Sequence, residues 1–214
     1  MSRRRIGLRG ALLVTAGAAA LGVGVGVTIH QLGSGGTSSS ADNPPGLHGQ
    51  ATWRPGERAA PDFRLADQGG HSVSLSSLRG SNVMLAFLGS RCRGACAHEV
   101  RSLRIALRLL PRSARPVLVI VSVDPSHDTP ASTRAAVARW GLGAAVAWHW
   151  LRGSTDQLAP VWRAYRVEVG PAASAEASPP VYLIDREGYE RAGLLYPVPP
   201  GWPAGDLRIL AHER

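Results

Sequence analysis

Two uninterrupted apolar runs, NVMLAFLG at 82–89 and PVLVIVSVD at 116–124, most constrain how this chain folds. A strand with one face in water alternates apolar and polar residues, whereas a run without alternation fits a strand buried on both faces. Between them EVRSLRIALRLL repeats apolar residues at helical spacing. Further along, DPSHDTPASTRAAVARWG turns into a second helix, with Asp128 or Thr129 as cap and Pro130 in the first turn. AVAWHWL reads as a short strand. GSTDQLAPVWRAYRV reads as a third helix with a serine or threonine cap, kinked by Pro160 or starting near it. APDFRLADQGGHSVSLSSLRG is a hairpin around DQGG, and PVYLID, REGY and ERAGLLY form a second hairpin that closes the pattern. Helices alternating with buried strands give an α/β sandwich of three layers, the sheet covered on both faces. Trp140, Trp148, Trp150 and Trp162 then read as ordinary packing rather than as an aromatic binding box.

The N-terminus has a different character. MSRRRIGLRG carries four arginines and precedes ALLVTAGAAALGVGVGVTI, an uncharged run at 11–29 about long enough to cross a bilayer. We expect a basic cytoplasmic N-terminus at 1–10, a transmembrane anchor or uncleaved signal at 11–29, a linker at 30–58 rich in Gly, Ser and Pro, and a folded domain at 59–214. A single-pass protein of the cell membrane with its C-terminal domain outside the cytoplasm follows. A cleaved signal is the competing reading. The net charge of +9 loses four arginines to the anchor, and the rest form no basic block with interleaved aromatics, which argues against nucleic-acid binding. Every basic side chain is arginine, as codon bias alone would produce.

The chemistry concentrates in RCRGACAH, which holds both cysteines of the chain, Cys92 and Cys96, at a strand-to-helix junction. Outside the cytoplasm such a pair can cycle between thiol and disulfide or bind metal. The helix N-terminus and the charges of Arg91 and Arg93 favour the Cys92 thiolate that attack on a disulfide needs. Cys96, one turn on, can resolve the mixed disulfide. A static bridge over so short a loop would stabilise the fold by only about 2 kcal/mol. Copper(I) also favours two soft thiolates, so the same residues serve either chemistry. His98 stands about 200° around the helix from Cys96 and should point away from the sulfurs. His127, in DPSHDTP at the same end of the sheet, is the better spare ligand, although loop histidines are usually solvated. Asp124 and Asp128 read as turn and cap residues, with proton acceptance as the functional alternative. No nucleotide loop, nucleophile elbow or hydrolase histidine cluster is present.

From about Ala60 to Tyr196 the chain resembles the Sco/SenC family, through PDFRLADQGGHSVSLSSLRG, the CxxxC of Cys92 and Cys96, SVDPSHDTP, LRGSTDQLAPVWRAYRV and VYLIDREG. The resemblance implies a thioredoxin-like fold, copper bound by both cysteines and one histidine, and assembly of the copper centre of cytochrome c oxidase, or thiol-disulfide reduction in its place. Partners would be the oxidase copper subunit or another copper carrier. The family histidine position is occupied by Ala177, so the third copper ligand is missing. Arg93 and Ala97 replace the family's prolines after the two cysteines. Pro179 stands where thioredoxin-like reductases carry a cis-proline facing their cysteine pair. A non-catalytic assembly adaptor is the remaining alternative.

Overall fold

The computed structural model describes residues 46–169 and 178–213. The basic N-terminus, the apolar run at 11–29, most of the expected linker and Ala177 lie outside them. Among the described residues no helix is long and apolar enough to cross a membrane.

The two apolar runs form β4 (Val83–Leu88) and β5 (Val117–Ser122), which pair in parallel from Val83 opposite Val117 to Leu88 opposite Ser122. A sheet of six strands in the order β1-β8-β7-β4-β5-β6 surrounds them. It is completed by β1 (Ala51–Thr52), β6 (Trp148–Leu151), β7 (Val181–Ile184) and β8 (Glu190–Leu194). β6 runs parallel to β5, whereas β7, β8 and β1 are antiparallel to their neighbours. β2 (Arg64–Ala66) and β3 (Ser72–Ser74) form the separate N-terminal hairpin.

Alternate residues of β4 and β5 feed two cores, as strands covered on both faces must. Met84, Ala86, Leu88, Leu118 and Ile120 pack with Val100, Leu103 and Leu107 of α1 (Ala95–Leu109) and with Ala136 and Val137 of α2 (Pro130–Trp140). Leu85, Phe87, Val119 and Val121 face the other way, onto Leu158, Val161 and Trp162 of α3 (Thr155–Ala164) and onto the β2–β3 hairpin. The α/β sandwich with both hairpins is therefore present.

Local signals behave as their chemistry requires. Thr129 caps α2 and Pro130 opens it, while Ser154 and Gln157 form a reciprocal capping box on α3. Pro160 lies inside α3, which continues to Ala164. Trp140 stacks on the buried Trp150 at 5.8 Å between ring centroids, and Trp162 donates to Ser122 O, so these indoles are packing residues.

Two features depart from the sequence expectation. A fourth helix, α4 (Gly201–His212), follows the C-terminal hairpin and places Ala204, Leu207 and Leu210 in the first core. Its opening GWP after PVPP reads locally as loop, and burial outweighs that weak propensity. Residues 47–53, expected within the linker, pack on the domain. Leu47 is buried, β1 pairs with β8, and His48 bonds the buried Asp206 of α4 through both its backbone N–H and its ring Nδ1.

Candidate functional site

β4 ends at Leu88, and Gly89 then passes so close to the next loop that a Cβ there would lie 3.0 Å from the Asp124 Cβ. Ser90 is fixed from both sides. Its N–H donates to Asp128 Oδ1 at 2.7 Å, and its carbonyl accepts from Arg139 Nη2 at 2.9 Å. Asp128, 3% exposed, also accepts from Ser122 Oγ at the end of β5. It is thus a buried clamp between the cysteine loop and α2, while Thr129 takes the cap role. Gly94, at φ 57, turns the chain into α1.

Cys92 and Cys96 are joined in a disulfide with their Cα atoms 5.6 Å apart, an ordinary span for the bond. Cys92 stands just ahead of the helix, Cys96 lies in its first turn, and both are half-buried against the first core. A cavity of about 520 Å³ opens beside the bond, bordered by Phe87, Val123, Val169 and Pro179 and by four charged residues, Arg91, Arg93, Asp124 and Glu168. The full positive charge expected of Arg91 is offset, because its Nε donates to Asp124 Oδ2 at 3.0 Å. Burial tends to raise the Asp124 carboxyl, but His127, Arg91 and Ser126 outweigh it and hold the group below its ordinary range.

The spare ligands are occupied elsewhere. The His127 ring Nδ1 lies 2.7 Å from Asp124 Oδ1, and the exposed His98 ring lies beside the Tyr196 hydroxyl at 3.4 Å. Among the described residues no group of three His, Cys, Asp or Glu side chains is arranged to hold a metal ion. The donors in view therefore do not fit the three-donor copper site that the resemblance implies. Pro179 borders the cavity as expected, but its peptide bond is trans; the cis bond among the described residues is Tyr196–Pro197. Pro179 is followed by Pro180 and by β7, so this is an extended entry to a strand.

Residues 51–192 match the SCO1/SenC family. The chain belongs to the SCO1/SenC family. A putative copper-binding protein of Stutzerimonas stutzeri is 28% identical over 136 residues, covering 63% of each chain. The mitochondrial SCO2 homolog of Bos taurus is 32% identical over 139 residues, covering 59% of this chain and 50% of the relative. The match thus spans about half to two thirds of these relatives. Among solved structures, Bradyrhizobium japonicum ScoI with copper bound superposes with a TM-score of 0.58 at 24% identity, over 71% of this chain and 99% of the other. BsSco, described as a member of the Sco family of cytochrome c oxidase assembly proteins with a disulfide switch, gives 0.62 at 19%, over 77% and 100%. At these identities the likeness is one of fold, and it places this SCO1/SenC chain in the thioredoxin-like Sco fold.

Glu99, not among the site residues expected from sequence, is 1% exposed with neither carboxylate oxygen hydrogen-bonded. Burial pushes its carboxyl up to about 7, and the Ser178 hydroxyl pulls against that rise without closing a well-formed hydrogen bond. The signal was present in the helical period, because Glu99 continues the buried stripe of Leu103 and Ala106. Ser178 carries no such signal, since only the fold returns it to α1.

Proposed function

We propose that this SCO1/SenC protein is a thiol-disulfide reductase that keeps the cysteines of a copper site reduced for metallation, its own redox pair being Cys92 and Cys96. One observation carries the reading. The two sulfurs form a disulfide that lines an open cavity of about 520 Å³, while the described donors do not complete a copper site. The oxidase copper subunit is the proposed partner, in keeping with BsSco, a fold relative from the Sco family of cytochrome c oxidase assembly proteins. Copper enters as the partner's cargo. The basic residues ahead of the apolar run at 11–29 support anchoring in the cell membrane with the domain outside the cytoplasm.

We infer the roles in exchange from where each cysteine stands relative to α1. Both cysteines border the cavity, and Cys92, which stands ahead of the helix, is the sulfur proposed to meet a partner disulfide. Cys96, held in the first turn, is the sulfur that closes back on it. The Ser90 clamp holds the loop while the bond opens, and the Arg91–Asp124 pair keeps the cavity wall close to neutral.

The reading is tested by redox titration of the full chain against dithiothreitol, with thiols counted by alkylation. We expect one two-electron couple, absent from Cys92→Ser. A pair that never cycles would remove the reading. Retention of one copper(I) by the reduced chain against a moderate competitor would instead favour a copper carrier, for which the copper-bound fold relatives are the support.

A further inference from the structure

At the end of the sheet opposite the cysteines lies a second cavity, of about 460 Å³, that thiol-disulfide exchange leaves without a task. β4 runs from Val83 toward the cysteine loop, so Asn82 stands at its far end, beside Val117 at the start of β5. Six strand residues at about 3.3 Å each put roughly 20 Å between the two ends. Four connections supply the walls. Ser81 precedes β4, Ser113 and Arg115 precede β5, residues 143–147 precede β6, and Arg186 lies in the turn from β7 to β8.

The polar groups of this cavity are unused by the fold. Arg115 is exposed and Arg186 half-buried, and among the described residues neither guanidinium has a hydrogen bond or an ion pair. The Ser81 and Ser113 hydroxyls are free in the same sense. Asn82 is 6% exposed, and its buried Oδ1 meets no donor. The backbone carbonyl of Asn82 accepts from the Val117 N–H, so the sheet itself holds this residue at the cavity. A buried acceptor without a donor is costly, and folded proteins keep few of them. No Asp or Glu borders the cavity, which therefore presents two positive charges and no negative one.

These features select an occupant. The two guanidinium groups suit carboxylate or phosphate. Asn82 Oδ1 needs an N–H or O–H donor, which a peptide backbone offers at every residue but proline. No aromatic ring borders the cavity, so a nucleobase would find nothing to stack on. Gly143, Ala144 and Ala145 form a wall of small residues that an extended backbone can approach closely. The N-terminal part of the chain does not match, because residues 1–45 hold four arginines and one acidic residue, Asp42. Charge complementarity therefore calls for another protein.

We propose that this cavity docks an acidic, extended segment of a partner protein, with carboxylates on Arg115 and Arg186 and a backbone N–H on Asn82 Oδ1. Docking here leaves Cys92 and Cys96 uncovered at the other end of the sheet, and it does not depend on the redox reading of that pair.

The test uses a fluorescein-labelled, end-blocked octapeptide of alternating Asp and Ala. It is titrated with the full chain in a neutral detergent at low salt and read by fluorescence anisotropy. Saturable binding is expected. Arg115→Gln and Arg186→Gln each remove a charge-assisted hydrogen bond and should weaken binding roughly tenfold. Arg163→Gln, at an exposed arginine of α3, should change it by less than about twofold. The same peptide with N-methylated amides keeps its carboxylates and should bind more weakly than the parent. Neither cavity arginine makes an internal bond, so both variants should fold as wild type does and match its Cys92–Cys96 redox titration.

Equal affinity in all three arginine variants would overturn the proposal, because the attraction would then belong to net charge alone. Inorganic phosphate held by Arg115 and Arg186 without any peptide binding would overturn it in favour of a small-anion site. Undiminished binding of the N-methylated peptide would overturn the segment as occupant and leave a bare carboxylate site. A cysteine pair that never cycles, in a chain that still binds the peptide through both arginines, would remove the redox reading and leave this docking site standing.

Discussion

An ionised carboxylate is most costly where no donor answers it, and both Glu99 oxygens are buried without a partner. Its folded value near 7 lies above the ordinary 4.5, so the folded chain keeps this proton to higher pH than the unfolded chain does. Below about pH 4.5 both states are protonated and there is no penalty. Between 4.5 and about 7 the folded state binds more protons, so stability falls as pH rises; above that window the penalty is complete, on the order of 3 kcal/mol. Glu99→Gln removes this slope. Its stability advantage over wild type should therefore widen across that window and stay constant on either side, as read from urea midpoints. Asp206 and Glu190, also raised by burial, titrate in both proteins and cancel from the difference. At this scale the cysteine pair was legible because two residues four apart at a strand-to-helix junction can meet through local geometry alone. The Glu99 environment was not, since it needs Ser178 from across the chain.

Among the elements, the loop between β4 and α1 owes its shape to Asp128, which lies at the entrance of α2 rather than in the loop. Removing this acceptor strands the Ser90 N–H and the Ser122 hydroxyl in a buried setting. Asp128→Ala should cost about 3 kcal/mol in urea denaturation and shift the reduction potential of the Cys92–Cys96 couple, because the loop loses its hold on β5. Asp128→Asn keeps one acceptor oxygen and should cost less than half as much. By local sequence Asp128 and Thr129 are both cap candidates for α2. The structure gives the cap to Thr129, which leaves Asp128 free to turn inward. Adjacent residues with similar local propensities were separated by what each side chain found to bind.

For the molecule as a whole, the two cores on either side of β4 and β5 hold the fold, and the disulfide closes only a short local loop. Reduction should therefore leave the domain folded, with a stability loss of no more than about 2 kcal/mol, measured as a shift in urea midpoint with and without dithiothreitol. A pair that is expendable for folding is free to change redox state. The layered α/β plan was written in the sequence, because an unbroken apolar strand must be covered on both faces, and because caps and turns act within a few residues of themselves. Tertiary structure alone decided that α4 and residues 47–53 join the domain, that Asp128 clamps the cysteine loop, and that Glu99 is buried with neither oxygen hydrogen-bonded. Each of these depends on contacts between residues far apart in the chain, and such contacts are set by packing rather than by local propensity.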